Sequence, residues 1–175
     1  MAAFTVIDHT ELTGATAEYD VTSIPSSYDH LYLVVSARSD NVSVRTDIIG
    51  KANGDTGSNY SRTMLYAGTT TPASSRASGA SGLWDMLPCP AASALADTFG
   101  GGTVWIPHYA NTTNYKQVLA SGAVENNSTT DWEWKINVGA QLWSSTAAID
   151  QLTLYPQHGD FVQYSTFTLY GVTGA

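Results

Sequence analysis

The sequence is poor in charge: 13% of its residues are Asp, Glu, Lys or Arg, and 15 acidic side chains against 7 basic ones leave a formal net charge of −8. A phosphate backbone would be repelled over most of such a surface, which excludes nucleic acid as an expected partner. Cysteine is nearly absent. With Cys89 alone no intrachain disulfide can form, so the fold must be held by its core or by oligomerisation, and Cys89 itself is expected to be an inert core thiol. Long apolar runs are missing as well: nothing approaches the roughly 18 residues of a membrane span, and Met1–Thr5 carries no basic segment leading into an apolar core. The expectation is a chain made in the cytoplasm without an export signal and with no membrane partner.

Helical periodicity is the remaining absence. The apolar share of 43% is ordinary, but it comes in short runs separated by Gly, Ser, Thr, Asn and Asp. A chain of 175 residues is long enough for one β domain with its own core. Leu31–Ala37, apolar on both faces and bounded by Ser26-Ser27 and Ser39-Asp40-Asn41, has the character of a central strand. Val42–Ile49 is expected to be its hairpin partner, followed by the dense turn signal Ala52–Gly57 and a strand over Tyr60–Tyr66.

Residues 68–82 are almost entirely Gly, Thr, Ala, Ser and Pro, with Arg76 the only charge, so a flexible loop or arm is expected there. Leu83–Leu87 and Gly102–Tyr109 are further strand candidates, with a helical turn possible over Ala91–Ala96 and a tight bend at Gly100–Gly102. Tyr115–Val124 alternates weakly and Trp132–Leu142 cleanly: Trp132, Trp134, Ile136, Val138, Ala140 and Leu142 share one face, with Lys135, Asn137 and Gln141 on the other. Ile149–Tyr155 and Ser165–Val172 complete a set of about ten strands at the turn spacing of sandwiches and barrels. The fold class expected over residues 1–175 is a single-domain, all-β, antiparallel sandwich, jelly-roll-like.

Few residues gather into a pattern that chemistry would need. The four histidines, His9, His30, His108 and His158, have no second ligand at a metal spacing, and Asp8-His9 lacks a nucleophile elbow to serve. Asn53-Gly54-Asp55-Thr56-Gly57-Ser58-Asn59 has alternating oxygen donors but lacks the closing Glu of a calcium loop, and is expected to be a turn. Asp131 and Glu133 flank Trp132 opposite the apolar stripe, where nothing would raise a carboxyl pKa as a glycosidase requires. The Asn-x-Ser/Thr triplets at Asn41, Asn59, Asn111, Asn126 and Asn127 are expected to be turn chemistry. No catalytic residue, cofactor or metal is therefore expected. Five Trp and ten Tyr would suit a sugar platform or a protein interface. Trp134 is in register with the aliphatic stripe and is expected in the core, whereas Trp105 and Trp143 fall out of phase with theirs and are expected to be exposed.

Several segments, in the order in which they occur, carry a resemblance: Tyr28-Asp29-His30-Leu31-Tyr32-Leu33 with Ala37-Arg38, the Asn53–Ser61 turn, Ile106–Thr112, Trp143–Ile149, Gly159-Asp160-Phe161 and Ser165–Val172. Together they resemble small β-rich virion structural proteins of tailed phages, of the head-decoration and tail-fibre type. The resemblance covers most of the chain and brings no catalytic residue. It implies a phage particle rather than a position within it; the compact single domain, the lack of a heptad or collagen-like stalk and the low-charge surface with its arm make the first choice a virion protein on the capsid surface, a decoration, or cement, protein, homotrimeric, that binds the major capsid protein lattice. The alternative is a tail-fibre or receptor-binding module that recognises a host surface glycan. The candidate interface residues are Phe4, Arg76, Trp105 and Trp143, and the candidate bridging elements are the 68–82 arm and the N-terminal segment Met1–Asp8.

Overall fold

Short apolar runs broken by Gly, Asn, Asp and Ser leave no stretch with a helical stripe, and the described residues fold into strands, turns and irregular connections. The computed structural model describes residues 3–68, 71–125 and 135–174, and among these there is no helix. Twelve strands follow one another: β1 (Phe4–Glu11), β2 (Tyr19–Val21), β3 (His30–Ala37), β4 (Arg45–Ala52), β5 (Tyr60–Ala67), β6 (Pro72–Ala80), β7 (Leu83–Pro90), β8 (Gly100–Pro107), β9 (Lys116–Ala123), β10 (Ile136–Trp143), β11 (Leu152–Pro156) and β12 (Thr166–Val172).

They form an eight-stranded sheet in the order β1-β12-β3-β8-β9-β10-β5-β6 and a four-stranded sheet in the order β2-β11-β4-β7, with every neighbouring pair antiparallel. Without β5, β6, β9 and β10, the order β1-β12-β3-β8 faces the order β2-β11-β4-β7, and the chain crosses between the two sheets at every step but the one from β4 to β7, as a jelly roll does. The antiparallel sandwich expected from the turn spacing is therefore present, with twelve strands rather than ten. The two extra strand pairs, β5–β6 between β4 and β7 and β9–β10 between β8 and β11, pair with each other through β10 and β5 and double the width of one sheet.

The core lies between the sheets. Leu31, Leu33 and Val35 of β3, Phe167 and Leu169 of β12 and Val104 and Ile106 of β8 face Ile48 of β4, Leu87 and Cys89 of β7 and Leu152 and Leu154 of β11. Burial holds the Cys89 thiol well above its ordinary pKa, so it stays protonated and unreactive. Tyr19 of β2 stacks on Phe167 with ring centroids 4.6 Å apart, and its hydroxyl donates to the Asp8 carboxylate at 2.9 Å. The Leu87 and Pro88 side chains of β7 pack directly on Gly102 and Gly122, where a Cβ would stand 2.6 Å from Leu87 Cδ2 and Pro88 Cδ respectively, so close approach favours glycine at both places.

Four expectations are corrected here. Val42–Ile49 is not the hairpin partner of β3: the chain crosses to the other sheet after Ala37, and β4 pairs with β11 and β7. The crossing is fixed by Arg38, whose guanidinium donates to the carbonyls of Leu95 and Thr98 at 2.9 Å and thereby closes the 91–98 loop. Gly100–Gly102 is the start of β8, paired to β3, rather than a bend, and Ala91–Ala96 forms turns rather than a helical turn. The stretch 68–82 is not an arm: Pro72–Ala80 is a nine-residue strand, because its small side chains allow the backbone to pair along the whole of β5.

Candidate docking face

Strand register across the eight-stranded sheet aligns its outward side chains in rows. One row runs Val6, Tyr170, Tyr32, Trp105, Leu119, Ala140, Thr63, Arg76. The next runs His9, Thr168, Val34, Thr103, Ser121, Val138, Leu65, Ser74. A third begins at Glu11 and passes Thr166, Ser36, Gly101, Ala123, Ile136, Ala67 and Pro72. The six inner strands place no Asp, Glu, Lys or Arg in these rows; formal charge enters only at the edge strands, as Glu11 on β1 and Arg76 on β6.

The face has two parts. On the jelly-roll strands an aromatic cluster gathers: Phe4 meets Tyr32 and Tyr170 edge-on, with centroids 5.8 and 6.0 Å apart, and Trp105 lies 6.1 Å from Tyr32 and 4.9 Å from His30. The ring of His30 is held by the backbone N–H of His108, which donates to its Nδ1 at 3.1 Å. On the four added strands the face is aliphatic and open to solvent: Leu65 is 66% exposed, Leu119 and Ile136 51%, and Val138 44%. Leu65, Pro72, Ile136 and Val138 line a shallow hollow of about 190 Å³.

The reason lies in β10, whose alternation runs opposite to the usual sense. Its apolar members Ile136 and Val138 point out, while Asn137 and Gln141 point between the sheets and are 1% and 2% exposed. The inward amides cap the free edge of the small sheet: Asn137 Nδ2 donates to the carbonyls of Asp85 and Met86 at 3.1 and 3.4 Å, and Gln141 Nε2 to that of Trp84 at 3.1 Å. Arg62 of β5, directly across from Gln141, adds an ion pair to Asp85 at 2.5 Å. Among the described residues β7 has no further strand beside it, so unmet backbone carbonyls there would carry a desolvation cost; the amide N–H groups turned inward meet those carbonyls, while Asn137 Oδ1 and Gln141 Oε1 stay buried without a partner among the described residues. The aliphatic side chains of β10 are turned outward in consequence.

Three of the four candidate interface residues stand on this face: Phe4 and Arg76 exposed at opposite edge strands, Trp105 half-buried in the aromatic cluster. Trp143 does not, which corrects the expectation of exposure. It is 3% exposed, on the inward side of β10; its ring stacks on Tyr60 at 6.4 Å and its Nε1–H donates to the Asp55 carboxylate at 2.7 Å. Sequence reasoning missed Leu65 and Leu119, for which an apolar residue in a weakly patterned strand was the only signal, and Tyr32 and Tyr170, whose facing pair in β3 and β12 emerges only from the register. Trp132, Trp134, Asp131 and Glu133 lie outside the described residues, as do Asn126 and Asn127.

The other candidate sites resolve into structure. Asp8 and His9 point to opposite sides of β1: the Asp8 carboxylate accepts from Tyr19 and Thr10, and His9 Nδ1 bonds to Thr168 Oγ1 at 2.8 Å. The Asp55 carboxylate accepts the indole N–H of Trp143, the Asn59 amide and the backbone N–H of Gly57, which together hold its pKa below the ordinary range. Asn41 and Asn111 accept the backbone N–H of residues two further on, at 3.0 and 2.7 Å, as turn residues do. Among the described residues no three His, Cys, Asp or Glu side chains gather as a metal set.

No family model and no curated protein matches the sequence. Solved structures that do match include the Ruminococcus gnavus IT-sialidase CBM40 bound to α2,3 sialyllactose, at 14% identity and a TM-score of 0.39, covering 97% of this chain and 95% of that one. The same domain in a second structure matches at 15% identity and a TM-score of 0.38 over the same shares. At these scores the likeness carries no inference about either fold or ligand, and the architecture above rests on the chain's own two sheets.

Proposed function

We propose that this chain is a structural protein of a tailed-phage particle, a head-decoration protein that docks on the major capsid protein lattice through the outer face of its eight-stranded sheet, and that it works by binding rather than by catalysis. The observation that carries this reading is the inverted alternation of β10, which turns aliphatic side chains to solvent beside Leu65 and Leu119 on six strands that place no formal charge in the outward rows. Contiguous apolar surface of this kind marks a site of association. With strands about 4.8 Å apart and outward residues about 6.7 Å apart along each, the three rows over eight strands cover roughly 770 Å², close to the ~800 Å² that each partner contributes to a standard protein interface. The phage resemblance of the segments along the chain names the setting; a jelly roll alone does not, since the architecture serves capsid, lectin and cupin proteins alike.

The mechanism is mechanical. A shell packed with DNA is under outward pressure, and a ligand that binds only the assembled lattice raises the free energy needed to separate its subunits. Many copies, each with modest contacts, act together. As expected for a homotrimer, an oligomeric protein would bridge several capsomers at once.

A second reading, a tail-fibre or receptor-binding module for a host surface glycan, is favoured by the Phe4–Tyr32–Tyr170–Trp105 cluster, whose ring faces suit a pyranose. Purified protein mixed separately with undecorated capsids and isolated tails, then imaged by cryo-electron microscopy, separates the two. Regular density on the shell supports decoration. Density on tails alone, with glycan-array binding that Trp105→Ala abolishes, overturns it in favour of the second.

A further inference from the structure

The eight-stranded sheet extends past the four-stranded one on the side of the added strands. Strand β7, the last of the small sheet, packs across β8, β9, β10 and β5, and β6 lies beyond it. Beside β7, on the inward side of the β5–β6 hairpin, a notch of about 390 Å³ opens, lined by Ser58, Arg62, Ala77, Ala80, Ser81 and Trp84. It lies on the opposite side of the sheet from the outer face, since the pair Arg62–Ala77 alternates with the pair Thr63–Arg76 of an outward row. Trp84 stands half-buried on one wall, at a bulge in β7: Asp85 has a φ of 53°, and the register with β4 shifts between Ile48 and Gly50. The large sheet holds this bulge in place, because the carbonyls of Trp84 and Asp85 accept from Gln141 Nε2 and Asn137 Nδ2, both at 3.1 Å. Arg62 is engaged by Asp85 at 2.5 Å and donates to Ser75 Oγ at 3.3 Å, so its charge is balanced. On the opposite wall Ala77 is short, and a Cβ at Gly79 would meet nothing within 4 Å. Among the described residues, the hydroxyls of Ser58 and Ser81 and the indole N–H of Trp84 have no hydrogen-bond partner.

We propose that this notch binds one ring of a neutral sugar, a hexose or N-acetylhexosamine residue of a glycan. The class follows from the chemistry of the walls. A pyranose has an apolar C–H face and a rim of hydroxyls. Trp84 supplies aromatic surface for the first, and its N–H, the two serine hydroxyls and the Arg62 guanidinium supply partners for the second. An anionic ligand would find the guanidinium already neutralised by Asp85, and a purely apolar one would leave the polar groups of the notch unpaired. The volume stands near the lower end of the roughly 300–1,000 Å³ of small-molecule sites, which suits a single ring. Because the carbonyl contacts from Asn137 and Gln141 fix the bulge, the wall carrying Trp84 is formed before any ligand arrives. The notch is separate from the aromatic cluster around Trp105, and a copy docked through its outer face would still present it, so this site is independent of what that face binds.

Proton–nitrogen NMR of the full chain, titrated with the methyl glycosides of glucose, galactose, mannose and N-acetylglucosamine, reads the site directly, since each indole N–H gives its own signal. At least one glycoside should shift the Trp84 signal saturably, with the millimolar affinity expected of a single ring, and leave the Trp105 signal where it was. Ala77→Leu, which adds bulk from β6 and keeps every polar group of the notch, should weaken binding by about tenfold or more at an unchanged melting temperature. Trp84→Ala should abolish it. No saturable shift of Trp84 with any of these glycosides, a shift of Trp105 in its place, tighter binding of inorganic sulfate or of a sialic acid glycoside than of the neutral sugars, or undiminished binding by Ala77→Leu would overturn the proposal.

Discussion

Asp55 shows how a residue that resembles a metal ligand becomes a structural hub. Its carboxylate is held below the ordinary value of 3.8, first by the Trp143 indole N–H and then by Asn59 and the Gly57 amide. A carboxyl whose folded pKa is depressed contributes stability above its unfolded value and loses that contribution as pH falls through the folded one. Asp55→Asn should therefore lower the melting temperature at pH 7, by an amount equivalent to about 1 kcal/mol or less given solvent screening. The gap to the wild type should close below pH 3.8. Thermal melts of the two proteins across pH 2–7, followed by tryptophan fluorescence, check it; a gap that stays constant to low pH would mean that the carboxylate charge plays no part. Calcium should leave both melts unchanged, since the oxygens of Asp55 are already occupied by three donors. At this scale the turn chemistry was legible, because Asn and Asp act on backbone N–H groups two residues away. The pairing of Asp55 with Trp143 was not, since it joins residues 88 positions apart.

At the scale of the element, β10 marks the limit of pattern reading. Period-two alternation states which residues share a face, and Ile136, Val138, Ala140 and Leu142 do share one; it does not state which face is covered. The assumption that the apolar face is inside fails here because a strand edge needs donors more than the core needs two more aliphatic side chains. That single inversion also moved Trp143 from expected exposure to burial. The structure predicts a reversed order of mutational cost. Asn137→Ala removes two donors from buried carbonyls and should cost about 1–3 kcal/mol, whereas Val138→Thr, on the solvent side, should change stability by about 0.5 kcal/mol or less. Urea titrations of both variants decide the matter, and a costlier Val138→Thr would place the apolar face of β10 inside. Composition misled in the same way at β6: Ser, Ala and Gly cannot build a core, but they can pair along an existing sheet.

For the whole molecule, the fold class was legible and the outline of the large sheet's outer face was not. Regular turn signals and short apolar runs are enough for an antiparallel sandwich, but they do not distribute the strands between the sheets: Val42–Ile49 reads as the partner of β3, whereas β4 lies in the other sheet between β11 and β7. The width of the large sheet depends on β5–β6 and β9–β10 finding each other across the interval from Ala67 to Ile136, a long-range pairing that no local pattern encodes. Those four added strands hold Leu65, Leu119, Ile136 and Val138, so the part of the chain least apparent from its sequence carries the aliphatic half of the proposed docking face. The most direct test is occupancy on undecorated phage shells, measured by cryo-electron microscopy, for the wild type and for Leu65→Asp/Val138→Asp. The account predicts ordered wild-type density with the eight-stranded sheet turned toward the capsid, and loss of that density for the variant although its melting temperature and oligomeric mass match the wild type. Equal decoration by both proteins, or density with that sheet facing solvent, would contradict it.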